Sequence, residues 1–428
     1  MPEIQINKNV LNVKESATLA INQKAKYLKS KGKDIYHWGF GQSPFPIPQA
    51  IQEELKNRVS HKEYLPTLGL EELRKTVADY YSQEFSFPVN PENIFIGPGS
   101  KELIFQLLYL LEGKVIIPAP SWVSYGPQID LKGDVGSILL TQRKNDYKVQ
   151  PQELDDHCKK LKSVQKILIL NSPSNPTGQV YSDDELAELA IVLRKHKVLV
   201  ISDEIYGQIN FEHQRSTSLS RFYPERTIVT GGLSKAHSAG GYRLGYMIIP
   251  HQISEIISPL KAMISETFSA VAAPIQYAAI KAWDKSPEVI QEVKIYTKIH
   301  KACGHYFYER LKAMNIDSPK PQGAFYLFIS FDYYKKELSK LGIKTSLDLC
   351  NYLLENYQIA VLPGEDFYYP KESLTARAAF VDYDGAKVLE AAKKSKQIDK
   401  YFVEENCLQI KNGLDQLEKF LHSLSSTK

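Results

Sequence analysis

A chain of 428 residues, 43% hydrophobic and 24% charged, can bury a large core or divide into two domains, which excludes wholesale disorder. Its 53 basic and 49 acidic side chains leave a net charge of +4, too little over this length for a nucleic-acid footprint. The four cysteines (Cys158, Cys303, Cys350 and Cys407) show no CxxC spacing, so reduced thiols are expected rather than a zinc site or a disulfide framework.

Met1–Lys31 mixes lysines with apolar residues and lacks the unbroken apolar segment of a signal peptide. No run approaches the roughly 18 apolar residues that a membrane span needs, so the expectation is a cytoplasmic protein with no membrane partner. Residues 16–31 carry Leu19, Ile21, Ala25 and Leu28, with Ser16 or Thr18 able to cap and Gly32 after the last lysines; this predicts a helix. The three prolines of residues 41–48, GQSPFPIP, predict an extended connection, and residues 70–85 predict another helix. From Asn90-Pro91 onward, short β-branched runs alternate with longer helical stretches such as Asp183–Lys195. The runs are Ile94–Ile96, Val115–Ile117, Ile167–Leu170, Val198–Ile201, Ile228–Thr230 and Tyr246–Ile249. Most are apolar throughout, as strands buried on both faces of a mainly parallel sheet must be. Past residue 285 the pattern changes to a long helix over Pro287–Met314, a strand over Ala324–Ser330 and a last helix near Ile410–Leu424. The expected fold class is therefore α/β: a large sheet domain over 46–290, and a smaller α+β domain from 1–45 plus 291–428.

The chemistry-bearing residues fall just after the strands, where open α/β sheets bind ligands. Val198–Ile201 leads into Ser202-Asp203-Glu204-Ile205-Tyr206. Asp203 either caps the next element or faces the crevice. Ile167–Leu170 leads into Asn171-Ser172-Pro173-Ser174-Asn175-Pro176-Thr177-Gly178; this reads as a rigid turn, whose Asn175 amide could also meet a ligand. Ile228–Thr230 leads into Gly231-Gly232-Leu233-Ser234-Lys235, with Arg243 eight residues beyond the lysine. A lysine amid small residues at a strand end is costly to bury unless neutralised or covalently bonded, and a carbonyl cofactor would bond it as a Schiff base. Gly97–Lys101 (GPGSK) opens a helix and offers its amides to an anion. Glu102 stands where a dinucleotide fingerprint needs its third glycine, and the spacing of a nucleoside-triphosphate loop is absent. A phosphate nest with a lysine, an arginine, an acid, an asparagine and a tyrosine suits pyridoxal 5′-phosphate (PLP), whose ring nitrogen needs a carboxylate.

On the spacing of Asn175, Asp203, Tyr206, Lys235 and Arg243, the chain resembles fold-type I PLP enzymes of the class I/II aminotransferase family, in the branch of bacterial aspartate and aromatic aminotransferases. The resemblance runs from Ser16 to about Asp384, plus the final helix. It implies that Lys235 is the Schiff-base lysine and proton shuttle, that Asp203 pairs with the ring nitrogen, and that Tyr206 and Asn175 donate to the phenolic oxygen. It also implies that Ser100, Lys101, Ser234 and Arg243 hold the phosphate, that Trp122 in APSWVSY stacks on the ring, and that Tyr64 reaches the phosphate of the other subunit of a homodimer. Gly41 would touch the substrate through its backbone, together with Trp122 and Asn175, and Arg377 in LTARAAF would grip the α-carboxylate. Three features depart from the family: Gly232 where many relatives carry serine, a longer Pro363–Arg377 segment, and an insertion over 385–408 with no function attached. The implied reaction is ping-pong transfer from an L-amino acid to a 2-oxo acid such as 2-oxoglutarate, with aspartate or an aromatic amino acid as donor. Lys101 aligns with a lysine that some aspartate-using relatives place near the distal carboxylate. A β/γ-eliminating lyase of the same fold is the alternative. A PLP-binding regulator is disfavoured, because only 15 residues precede the resemblance.

Overall fold

The computed structural model describes residues 4–11, 13, 17–162 and 165–425. All six apolar runs become strands of a seven-stranded sheet. Numbered in chain order these are β1 (Ile94–Gly97), β2 (Lys114–Ala119), β3 (Ser137–Leu140), β4 (Lys166–Asn171), β5 (Leu199–Asp203), β6 (Thr227–Gly232) and β7 (Gly245–Ile248). Their spatial order is β1-β7-β6-β5-β4-β2-β3. The pairs β2/β3, β2/β4, β4/β5 and β5/β6 are parallel, and β7 runs antiparallel between β1 and β6. The carboxyl ends of β1, β2, β4, β5 and β6 thus share one edge, where β7 begins.

The runs are apolar throughout because successive residues serve opposite faces. Ile167, Ile169, Leu199 and Ile201 enter one core with Leu103 and Leu107. Their neighbours Leu168, Leu170 and Val200 enter another with Leu189 and Leu193 of helix Asp183–Lys195. That helix starts on a capping box, Ser182 with Glu185, which satisfies two otherwise orphaned amides. β3 was not foreseen, although Ile138–Leu140 is an apolar run as long as Ile94–Ile96; it is an edge strand with Ile138 and Leu140 exposed and Leu139 buried.

The helix foreseen over 16–31 spans Ala17–Ser30; its Ser16 cap lies outside the described residues. Lys24 ties it to Glu355 at 2.9 Å. A second, antiparallel sheet orders Leu362–Pro363, Thr375–Ala379 and Tyr326–Ser330. The long helix is Pro287–Ala313 and the last helix Leu408–Ser425. Between them residues 385–408, expected as an insertion, form helices Gly385–Lys394 and Lys400–Asn406. Arg310 of the long helix bonds Asp415 at 2.7 Å and Glu418 at 3.0 Å on the last one. All four cysteines are buried and free. Trp38 is fully buried, stands edge-on to Phe307 with centroids 4.7 Å apart, and its carbonyl accepts from Ala379 N–H at 2.7 Å. It joins the amino-terminal segment, the long helix and the second sheet. Trp38→Ala should therefore destabilise the protein by about 3–5 kcal/mol; an unchanged urea-denaturation midpoint would show that this joint carries no load.

Candidate active site

The shared strand edge opens into a cleft of about 370 Å³. β5 ends on Asp203, which is 3% exposed. β6 runs through Gly231 and Gly232 into the turn that carries Lys235. β4 ends at Asn171, and the following turn brings in Asn175, also buried. β1 leads into helix Ser100–Leu110 through Gly99, whose φ is +91°. A Cβ on Gly99 would lie 2.6 Å from Arg243 Nη2, so glycine alone lets the arginine lie against the helix start. The first amides of that helix have no intrahelical acceptor. Arg243 folds over them, donating to the Gly240 carbonyl at 2.9 Å and the Pro98 carbonyl at 3.1 Å.

Of the twelve residues selected from the sequence, eleven line this cleft: Gly41, Ser100, Lys101, Trp122, Asn175, Asp203, Tyr206, Ser234, Lys235, Arg243 and Arg377. Tyr64 does not; its side chain is 98% exposed on a loop outside the cleft.

The charges of the cleft are unbalanced. Arg377, on the middle strand of the second sheet, is 2% exposed. Its Nη2 donates to the Gly39 carbonyl at 2.6 Å and its Nη1 to Asn175 Oδ1 at 3.3 Å. Its guanidinium lies 4.5 Å from the centroid of the Tyr326 ring. Among the described residues no carboxylate pairs with it, and burial lowers its pKa. Lys235 Nζ donates to the Gly41 carbonyl at 2.9 Å. Burial pulls its pKa down to about 8, Arg377 and Arg243 add to the fall, and Asp203 opposes it. Among the described residues Asp203 is the one carboxylate that lines the cleft; burial pushes its pKa up to about 6, against the hydrogen bonds it accepts. Lys101 stands at the mouth, 5.5 Å from the centroid of the Trp122 ring. Its pKa is lowered by burial and by Arg243.

Two residues of the site escaped sequence reasoning. Tyr125 donates its hydroxyl to Asp203 Oδ2 at 2.7 Å, and its ring stands edge-on to Trp122 at 5.2 Å. Its place three residues after Trp122 was the available signal. Tyr326 meets Tyr206, hydroxyl to hydroxyl, at 2.8 Å and the Gly41 carbonyl at 3.3 Å. A Cβ on Gly41 would lie 2.0 Å from the Tyr326 hydroxyl, which explains the glycine. Nothing in the spacing of residue 326 announces this contact.

The pattern of the family described as aminotransferase class I and II matches residues 33–394. An aspartate aminotransferase of Bacillus subtilis is 30% identical over 387 residues, 89% of this chain and 96% of its own length. An asparagine–oxo-acid transaminase of Streptococcus mutans is 31% identical over 384 residues, 86% of this chain and 93% of its own. The solved aspartate aminotransferase of Thermotoga maritima superposes with a TM-score of 0.80 at 26% identity, covering 97% of this chain and all of its own.

The electrostatics can be tested on the isolated chain. Acetylation of Lys235 by acetic anhydride, followed by peptide mass spectrometry, should be half-maximal near pH 8, against about 10.4 for an unperturbed lysine. Arg377→Met removes a repelling cation and should move the midpoint up; Asp203→Asn removes an attracting anion and should move it down. A midpoint that neither substitution moves would mean that burial alone sets it.

Proposed function

The chain belongs to the class I and II aminotransferases, PLP-dependent enzymes that move an amino group between an amino acid and an oxo acid, and on that premise we propose that this cleft uses aspartate as donor and 2-oxoglutarate as acceptor in a ping-pong cycle. The observation that carries the reading is the pair of cations, Arg377 and Lys101, that share the cleft with no carboxylate among the described residues bound to either.

The residues fit the cofactor. The free amides at Ser100 and Lys101, the Ser234 hydroxyl and Arg243 form a cradle for a phosphate. Asp203, at the floor, suits a protonated ring nitrogen, and Tyr125 holds its second oxygen in place. Tyr206 and Asn175 reach toward the phenolic oxygen, and Trp122 flanks the ring. When bound, PLP supplies a carbonyl for amine exchange and a cationic ring that withdraws electrons from the substrate α-carbon.

The chain's own part is positional and protonic. Arg377 grips the α-carboxylate with both Nη atoms, exchanging the Gly39 and Asn175 contacts for a charged partner. Lys235, its pKa brought down by burial to about 8, would take the α-proton on Nζ and return it on the cofactor side. Asp203 keeps a proton on the ring nitrogen. Lys101, without a carboxylate partner at the mouth, would receive the second carboxylate of a dicarboxylic donor. The name carried by the B. subtilis relative, aspartate aminotransferase, supports that class of donor over an aromatic one.

Two further parts of the proposal concern assembly. Lys235 and Asp203 belong to the portion over 46–290, whereas Gly41 and Arg377 belong to 1–45 and 291–428, so substrate binding would draw two domains together. Tyr64, exposed and outside its own cleft, would serve the phosphate of a second copy, which makes the working unit a homodimer. A cytoplasmic setting suits these small substrates, and no helix among the described residues is long and apolar enough to cross a membrane.

A screen of acidic, aromatic and aliphatic donors against 2-oxoglutarate should find aspartate the best; an aromatic amino acid in first place would refute the donor assignment. Charge-assisted hydrogen bonds contribute roughly 1.5–3 kcal/mol, so Arg377→Lys should lower kcat/KM about 10- to 150-fold for every donor. Lys101→Ala should lower it about 10-fold for aspartate and leave alanine unaffected. Equal losses on both donors would return Lys101 to the phosphate alone.

A further inference from the structure

Tyr326 has no place in the reaction as derived so far, yet its hydroxyl joins two groups that do. It lies 2.8 Å from the Tyr206 hydroxyl and 3.3 Å from the Gly41 carbonyl oxygen. The Gly41 oxygen in turn accepts from Lys235 Nζ, and the Tyr326 ring carries the Arg377 guanidinium on its face. Tyr206 and Tyr326 are 3% and 1% exposed, so water does not compete for these protons.

A hydroxyl has one proton to give. The Gly41 carbonyl can only accept. While Tyr326 donates to it, the hydrogen bond between the phenols must run from Tyr206 to Tyr326. If Tyr206 gives its proton to a ligand oxygen, the bond between the phenols can survive only by reversing. Tyr326 then donates to Tyr206, and the Gly41 oxygen loses that donor. Donation into the Tyr206 oxygen polarises its O–H and makes it a stronger donor, as in other chains of hydrogen bonds.

We infer that Tyr326 is a positioning residue that reverses its hydrogen bond when the cofactor binds, strengthening the Tyr206 donor and freeing the Gly41 carbonyl for an N–H of the incoming amine. The inference rests on the reading that Tyr206 faces the phenolic oxygen of PLP. Three features of the site follow from it. Gly41 must be glycine, since any side chain would displace the Tyr326 hydroxyl. Lys235 and Tyr326 share one acceptor, so release of the lysine and reversal of the phenol both act on the same carbonyl oxygen. The aromatic face under Arg377 fixes the Tyr326 ring, so only its proton has to move.

The experiment is a double-mutant cycle on the PLP-loaded enzyme without substrate, and the readout is the pH midpoint of the bound cofactor's absorbance change. A stronger Tyr206 donor favours the anionic phenolic oxygen, so weakening it raises the midpoint. Tyr206→Phe should raise it most. Tyr326→Phe keeps the ring, its packing and its seat for Arg377. It should raise the midpoint by about 0.5–1 pH unit, from a hydrogen bond worth about 1 kcal/mol. In the Tyr206→Phe background the same change should add less than about 0.2 unit, because the bond it perturbs is gone. Tyr326→Phe also leaves the Gly41 carbonyl without that donor, as the reversed phenol does, so the KM of the amino donor should be unchanged. If Tyr206→Phe leaves the midpoint in place, the assignment of Tyr206 falls and takes this inference with it. If Tyr206→Phe moves the midpoint but Tyr326→Phe does not, the cofactor reading stands and the relay is refuted. Equal, additive shifts in both backgrounds would make Tyr326 an independent influence on the cofactor and refute the relay as well.

Discussion

Enclosing a guanidinium without an anion costs several kcal/mol even after partial compensation, and the architecture of the site follows from how that cost is met at Arg377. The Gly39 carbonyl, the Asn175 amide and two aromatic faces, Tyr326 and Phe367, surround it. They hold the fork in place without neutralising it. Strand pairing fixes it further: Arg377 sits opposite Phe328 on one side and Leu362 on the other. A carboxylate entering the cleft meets a cation already desolvated and oriented, so little reorganisation opposes binding.

The same uncancelled charge acts on Lys235. Arg377 is the largest electrostatic cause of the lysine's lowered pKa. Burial is the first cause of that fall and Arg377 the next, so the neutral amine depends in part on this guanidinium. On the proposed reading, a carboxylate that neutralised Arg377 would weaken the repulsion and make Lys235 a stronger base. Asp203 is tuned from the other side. Burial raises its pKa, while Tyr125 and the Ile205 N–H steady the ionised form. Behind it the buried Glu204 carboxylate is matched by Arg215 at 2.5 Å and by the hydroxyls of Ser202 and Ser218, so the second acid of the pair adds little net charge to the floor.

What the sequence disclosed depended on where the determining forces lie along the chain. The six core strands were legible because burial on both faces leaves an unbroken apolar run; β3 has a run of the same kind at Ile138–Leu140 but was overlooked, and it proves to be an edge strand with two of its apolar side chains exposed. Lys235, Asp203 and Asn175 were legible because each lies at a strand end or within a few residues of one, and Arg243 because it stands eight residues beyond Lys235. Arg377 needed the family resemblance, since an arginine within a short apolar strand has no local signature of function. The contacts of Tyr125 and Tyr326 span 78 and 120 residues. They arise only when two strand ends, or the two sheets, are brought face to face, and a tyrosine in an apolar stretch otherwise reads as core. Residues 385–408, expected as an insertion, fold as two helices laid on the long one, and Cys407 Sγ lies 3.8 Å from Cys303 Sγ.

Phe40 and Gln42, on either side of Gly41, also line the cleft, and both side chains are exposed at its rim. They belong to neither sheet, and no cofactor-facing residue relies on them for support. The mouth of the cleft can therefore vary in sequence independently of its floor. On the proposed reading donor preference rests on Phe40, Gln42 and Lys101, so a designer can change these three while keeping Gly41, whose carbonyl accepts from Lys235 Nζ, and so leave the ring-nitrogen acid and the imine-forming amine as they are.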